Sequence, residues 1–136
     1  MSSRIKQFFL YIPVLGLIAA FAAHAVLGLL QDPEHVAIVS VLGLGPVATK
    51  WLTYAIFPLD GAVVLLLIFG DRIRAEFPWK WLFFWTGAWP WIPRYLEFIG
   101  GMTPEFGDAF GLTVLAVLSY YLYKKRGIVL LKRKIC

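Results

Sequence analysis

Residues 46–69, PVATKWLTYAIFPLDGAVVLLLIF, decide how this chain folds. A helix rises about 1.5 Å per residue, so roughly 20 apolar residues cross the hydrocarbon core of a bilayer. This stretch is long enough to span. Pro46 suits the first turn of a helix, and Gly70 follows as a C-terminal cap.

Just upstream, Asp32-Pro33-Glu34 is a helix start: an aspartate cap, a proline in the first turn, and an acid near the positive end of the helix dipole. The helix it opens runs into Gly43-Leu44-Gly45. It is limited to about residues 33–42, which is too short to span. We read it as a short interfacial or re-entrant helix. A rival segmentation takes 33–49 and 51–69 as two crossings, which makes five and puts the chain ends on opposite sides.

Charge selects four. Arg4 and Lys6 precede the first apolar run, and six Lys/Arg lie between Lys124 and Lys134. Cytoplasmic segments carry such an excess, so both termini are expected in the cytosol. The expected fold is an all-α integral membrane protein, a four-transmembrane-helix bundle forming one domain over residues 1–136. Its spans are about 8–30, 46–69, 78–99 and 104–123, followed by a basic cytoplasmic tail, 124–136. The expected location is the cell (plasma or inner) membrane.

The loops agree with this assignment. The two outer ones hold Asp32, Glu34 and Glu105 and no Lys or Arg, while Arg72, Arg74 and Lys80 cluster at the inner one. Pro90 and Pro93 bend the third span. Gly100-Gly101 makes a turn, and Thr103-Pro104-Glu105 opens the last helix. Ala23-His24-Ala25 has the form of a signal cleavage site, but the apolar run from Phe8 to Leu30 has the length of a span and is read as one.

Composition points the same way. The chain is 60% hydrophobic, 17% aromatic and 15% charged, against about 25% charged in soluble domains. A bundle of 136 residues cannot hide that much apolar surface from water. The lipid bilayer is therefore the first expected partner. The net charge of +5 does not imply nucleic acid, because the basic residues sit at the ends of apolar runs. The single cysteine, Cys136, excludes an intrachain disulfide, a thiol redox pair and a cysteine metal cage. Quinone-linked thiol chemistry is excluded with them. There is no G-x-x-x-x-G-K, G-x-S-x-G or H-E-x-x-H, and neither cofactor nor metal is expected.

Aromatic residues fall at the expected interfaces: Trp79 and Trp81 at the inner end of span three, Trp89 and Trp91 near its outer end, and Tyr120, Tyr121 and Tyr123 at the inner end of span four. The tail alternates Lys124-Lys125-Arg126, an apolar run from Ile128 to Leu131, and Lys132-Arg133-Lys134. It reads as a basic strip on anionic lipid.

Six ionisable groups lie within spans: His24, Lys50, Asp60, Arg94, Glu97 and Asp108. Charges in hydrocarbon are costly, so they usually face the bundle interior, pair, and carry function. Asp60 is expected near mid-membrane, with His24, Arg94 and Asp108 about 7–9 Å outward and Lys50 and Glu97 about 12–13 Å. The pattern describes a vestibule open to the outside with Asp60 at its floor. Thr49, Thr53 and Asp60 fall within about 40° on one helix face. Gly16, Ala20, His24 and Gly28 form a ridge of small residues that lets another helix approach, which turns His24 inward.

The candidate site is thus Asp60, His24, Arg94, Glu97, Asp108 and Thr53. Each has a structural alternative. Asp60 would cap a half-helix beginning after Pro58, Arg94 and Glu97 would pair at the outer interface, and Lys50 would snorkel. Asp108 would complement a helix dipole, and His24 would be a satisfied buried histidine donating to a carbonyl. His35, on the outer loop, is given no role.

Three functions compete. The first is ion- or proton-coupled translocation of a solute through a homo-oligomer or beside partner membrane subunits. The second is an accessory or assembly subunit of a larger membrane complex. The third is an intramembrane enzyme using Asp60 and Asp108. Lipoprotein signal peptidases are similar in topology, with four spans, cytosolic ends and two catalytic aspartates in the outer half. This chain contains no Asn, so their asparagine-containing motifs are missing and the likeness is one of topology only.

Overall fold

Pro46 opens a helix that runs without interruption to Ile73. The computed structural model describes residues 2–133, so Lys134 and Cys136 of the expected tail lie outside the described residues. In chain order the helices are α1 (Ser3–Phe9), α2 (Ile12–Leu29), α3 (Pro33–Ser40), α4 (Pro46–Ile73), α5 (Trp79–Ala88), α6 (Trp91–Ile99) and α7 (Gly107–Arg126). Helix makes up 76% of the described residues and no strand occurs among them, so the fold is all-helical. Two helices, α2 and α4, are long and apolar enough to cross a membrane.

Each long helix buries one stripe and exposes the rest. On α4 the buried residues are Thr49, Thr53, Asp60, Val63, Leu67 and Gly70, a helical repeat of three, four and seven. On α2 they include Val14, Leu17, Phe21, Ala25 and Gly28, and on α7 Ala109, Leu112, Ala116 and Ser119. Outside these stripes, Trp51, Leu65, Phe84, Phe110 and Val117 are exposed. Such a surface suits hydrocarbon rather than water.

Several expected boundaries move. The first long helix starts at Ile12 rather than Phe8, because Leu10-Tyr11 turns the chain after α1. The short helix ends at Ser40, two residues before its expected limit. The last helix starts at Gly107, since residues 102–106 lie outside helix. The larger change is in residues 78–99, which form two helices. Trp89-Pro90 breaks them, because Pro90 has no N–H to donate and its ring crowds the turn before it.

The core occupies one end of the bundle, where Leu17, Phe21, Val63, Leu67, Phe83, Leu112 and Ala116 meet around Trp79. Trp79 is only 2% exposed, whereas Trp81 is 66% exposed. Trp79 is therefore a core residue and not the interfacial anchor its position suggested. It lies 4.8 Å from Phe77, 5.7 Å from Phe83 and 5.9 Å from Tyr123, centroid to centroid.

The tail also differs from expectation. Gly127 adopts φ 62° and reverses the chain after α7. Val129 then buries in the core, and the Arg133 N–H donates to Asp71 at 2.6 Å. The apolar run after Arg126 thus packs against the end of the bundle.

The tightest helix contact is between α2 and α4 at Gly28. A Cβ there would stand 2.8 Å from Ile56 Cβ and 2.9 Å from the Thr53 carbonyl oxygen. Neither atom is a flexible end, so the helices would have to separate. Gly28→Ala is expected to cost about 1–3 kcal/mol, by the usual cost of overpacking. Thermal denaturation of the purified protein checks this, and an unchanged midpoint would show that the backbones do not pack this closely.

Candidate functional site

Opposite the core end, α2, α3, α4, α6 and α7 surround a cavity of about 330 Å³. Its walls are mostly apolar, with Phe21, Ile38, Leu52, Ile56 and Leu112 among them. Five ionisable side chains reach it: His24, His35, Asp60, Arg94 and Asp108. The break between α5 and α6 contributes Trp89 and Pro90 to the wall.

Gln31 makes this arrangement possible. It turns the chain between α2 and α3 at φ 55°, a left-handed conformation that costs a non-glycine residue about 1 kcal/mol or more. Its side-chain amide donates to the carbonyls of Gly28 at 3.2 Å and Lys50 at 3.3 Å, which holds the turn against α4. The turn sets α3 against α4 and α6, with His35 reaching His24 on α2. Asp32 then caps α3 by accepting from the His35 N–H at 3.4 Å.

The turn joins three side chains in series. His35 Nδ1 lies 3.0 Å from Asp32 Oδ2, and His35 Nε2 lies 3.2 Å from His24 Nδ1. The carboxylate can only accept, so Nδ1 of His35 carries the proton. In neutral His35, Nε2 is then an acceptor and His24 Nδ1 donates to it. His24 Nε2 is left unprotonated. The His35 hydrogen bond also holds the Asp32 carboxyl below the usual carboxylate range.

Arg94 is 8% exposed and anchors a second cluster. Its guanidinium contacts Glu97 at 3.3 Å and Asp108 at 3.6 Å, and donates to the Glu105 carbonyl at 3.0 Å. It thereby ties α6 to the start of α7. Arg94 Nε and Glu97 Oε2 are buried without partners. The Asp108 Oδ1 that faces Arg94 also accepts from the Ala109 N–H at 2.7 Å.

Asp60 is 3% exposed and belongs to neither hydrogen-bonded cluster. Among the described residues no Lys, Arg or His nitrogen comes within ion-pair distance of it. Trp89 lines the cavity beside it. Because α4 continues through Pro58, Asp60 is mid-helix and does not cap a half-helix.

Of the six candidates, Asp60, His24, Arg94 and Asp108 share the cavity, and Thr53 and Glu97 do not line it. Thr53 is fully buried between α4 and α2, and its hydroxyl donates to the Thr49 carbonyl at 2.8 Å. Its place on the Asp60 stripe put it on the same helix face but two turns away. Glu97 turns back onto Arg94. Lys50 is exposed, with its ammonium 5.9 Å from the Tyr54 ring.

His35 is the residue that sequence reading passed over. Its signal was local: Asp32 caps the helix on which His35 sits one turn later, so the two side chains were bound to meet. Its contact with His24 needed the Gln31 turn. No family model matches the chain, and no curated protein or solved structure is significantly similar to it.

Proposed function

We propose that this chain is a four-span membrane protein with both ends in the cytosol. In this reading α5 and α6 together form the third crossing, and α7 is the fourth. The cavity opens to the outside and serves proton-coupled movement of a small solute, with Asp60 taking and releasing the proton. One observation carries the reading: a buried carboxylate without a counter-charge shares a cavity with one end of the Asp32–His35–His24 series. Intramembrane ionisable groups are costly and are kept for such work. A proton arriving at His24 Nε2 lets the Nδ1 proton pass to His35 Nε2. The His35 Nδ1 proton then passes to Asp32, at the surface. A chain with four crossings makes a thin wall, so a second copy or partner spans would complete it.

The enzyme reading has one specific observation in its favour, since Asp60 and Asp108 line the same cavity. Asp108, however, is turned to Arg94 and the Ala109 N–H, whereas a shared-proton aspartate pair needs the two carboxyls facing each other. Translocation is the better fit.

Two experiments test the proposal. Reporters inserted between Arg74 and Glu76, and fused after the last residue, should read cytoplasmic, and one at Met102 external. Cysteines at the exposed positions Ala37 and Ser40 should be labelled from outside by an impermeant reagent, while one at buried Ile38 is protected. An external C-terminus would sink the topology. In sealed proteoliposomes, an external pH jump followed by infrared spectroscopy should protonate a carboxyl group that His35→Ala slows at least tenfold. Equal rates in the two proteins would remove the relay.

A further inference from the structure

We propose that the cavity takes a small lipophilic ammonium ion, held by the Asp60 carboxylate and exchanged against its proton. The inference rests on the proton-coupled reading and adds the chemical class of the solute.

Charge sets the sign. Among the groups lining the cavity, Arg94 is already engaged by Glu97, Asp108 and the Glu105 carbonyl. His24 and His35 use ring nitrogens on each other. Asp60 is left as the lining carboxyl group without an ion-pair partner, so once it ionises an anionic ligand finds repulsion and a cation finds a partner. A buried carboxylate alone is strongly disfavoured, and a desolvated cation beside it relieves that penalty.

Shape sets the rest. A cavity of about 330 Å³ with apolar walls lies at the lower end of small-molecule sites, which run about 300–1,000 Å³. A compact amine or quaternary ammonium with a hydrocarbon body buries its apolar part there. Trp89 lines the same cavity as Asp60, and aromatic walls favour quaternary ammonium groups.

The exchange balances without breaking a bond in the ligand. The protonated Asp60 gives up H⁺ as the ammonium arrives, and the carboxylate–ammonium pair replaces the acid. The groups facing Asp60 across the cavity are His24 on α2, His35 on α3, Arg94 on α6 and Asp108 on α7. Of these, His24 is the one with a free acceptor nitrogen, and the Asp32–His35–His24 series carries the released proton out. Proton and cation compete for one site, so affinity falls as acidity rises, by up to about tenfold per pH unit.

Calorimetry on the full-length protein in detergent tests this with three probes: benzyltrimethylammonium, its uncharged isostere neopentylbenzene, and phenylacetate. The cation is expected to bind at least tenfold more tightly than either other probe. At acidic pH it should release close to one proton per ligand, seen in buffers of different ionisation heat. Asp60→Asn should lose at least tenfold in affinity together with the proton release. Ala55→Phe, which keeps the carboxylate but fills the cavity, should also lose binding. Equal binding of neopentylbenzene would reduce the site to an apolar pocket, and tighter binding of phenylacetate would move recognition to Arg94. Either result overturns the proposal, as does unchanged affinity in a folded Asp60→Asn protein. If no probe binds while the infrared carboxyl signal still follows external pH through His35, the solute class fails and the proton-coupled reading stands. If that signal is also missing, both fail.

Discussion

Asp60→Asn is expected to leave the protein folded and inserted while removing its proton response. Asn matches Asp in shape, and a neutral amide is easier to bury than an ionised carboxylate without a counter-charge. Stability at neutral pH should therefore change by less than about 1 kcal/mol, and not necessarily downward. The pH-dependent carboxyl signal of the reconstituted protein should vanish, and proton uptake after a pH jump should fall at least tenfold. The capping role considered for Asp60 would predict retained behaviour, because Asn caps as well as Asp. The unbroken helix through Pro58 removes that role. A folded Asp60→Asn protein with an unaltered proton response would show that another group titrates, and the functional proposal would go with it.

Arg94→Met is expected to have the largest effect on stability. Arg94 balances Glu97, which is 5% exposed, and reaches Asp108 and the Glu105 carbonyl. Removing one partner of a buried ion pair typically costs about 3–5 kcal/mol, because the remaining charge is stranded. The cluster already holds two unpartnered atoms, Arg94 Nε and Glu97 Oε2, so the pair is imperfect and about 3 kcal/mol is the expected loss. Replacing Glu97 by Leu in the same protein should recover most of it, since no uncompensated charge remains at that position. Denaturation of the single and double variants in one detergent measures both. If Arg94→Met is as stable as wild type, the guanidinium does not hold α6 to α7. If the double variant is no better than the single, charge is not the reason.

Much of the architecture was legible because it rests on local rules. Asp32-Pro33 opens α3 and Gly45-Pro46 opens α4 because capping and proline geometry act within one turn. Thr49, Thr53 and Asp60 share a buried stripe because the helix period fixes which side chains share a face. Gly28 meets α4 because a ridge without side chains is where two backbones can approach. The all-helical class and the apolar length of α2 and α4 follow from the same short-range information.

Tertiary structure decided what depends on contacts between elements. That α4 passes through Pro58 while Trp89-Pro90 breaks the α5–α6 segment is not visible from proline alone, since packing against neighbours determines whether the lost hydrogen bond bends a helix or ends it. Trp79 entered the core because Phe77, Phe83 and Tyr123 close around it. The tail docked because Gly127 turns Val129 back onto that core. Thr53 and Asp60 share a face, yet they meet different neighbours along α4, so one is packed against α2 and the other opens into the cavity. The pairing of His24 with His35 depended on a single left-handed residue, Gln31, held by two side-chain hydrogen bonds. Sequence alone established the residues of the buried stripe of α4 and of the small-residue contact face of α2. The turn and the helix break determined which of them came to share one cavity, because those depend on the few residues where the chain leaves helical geometry.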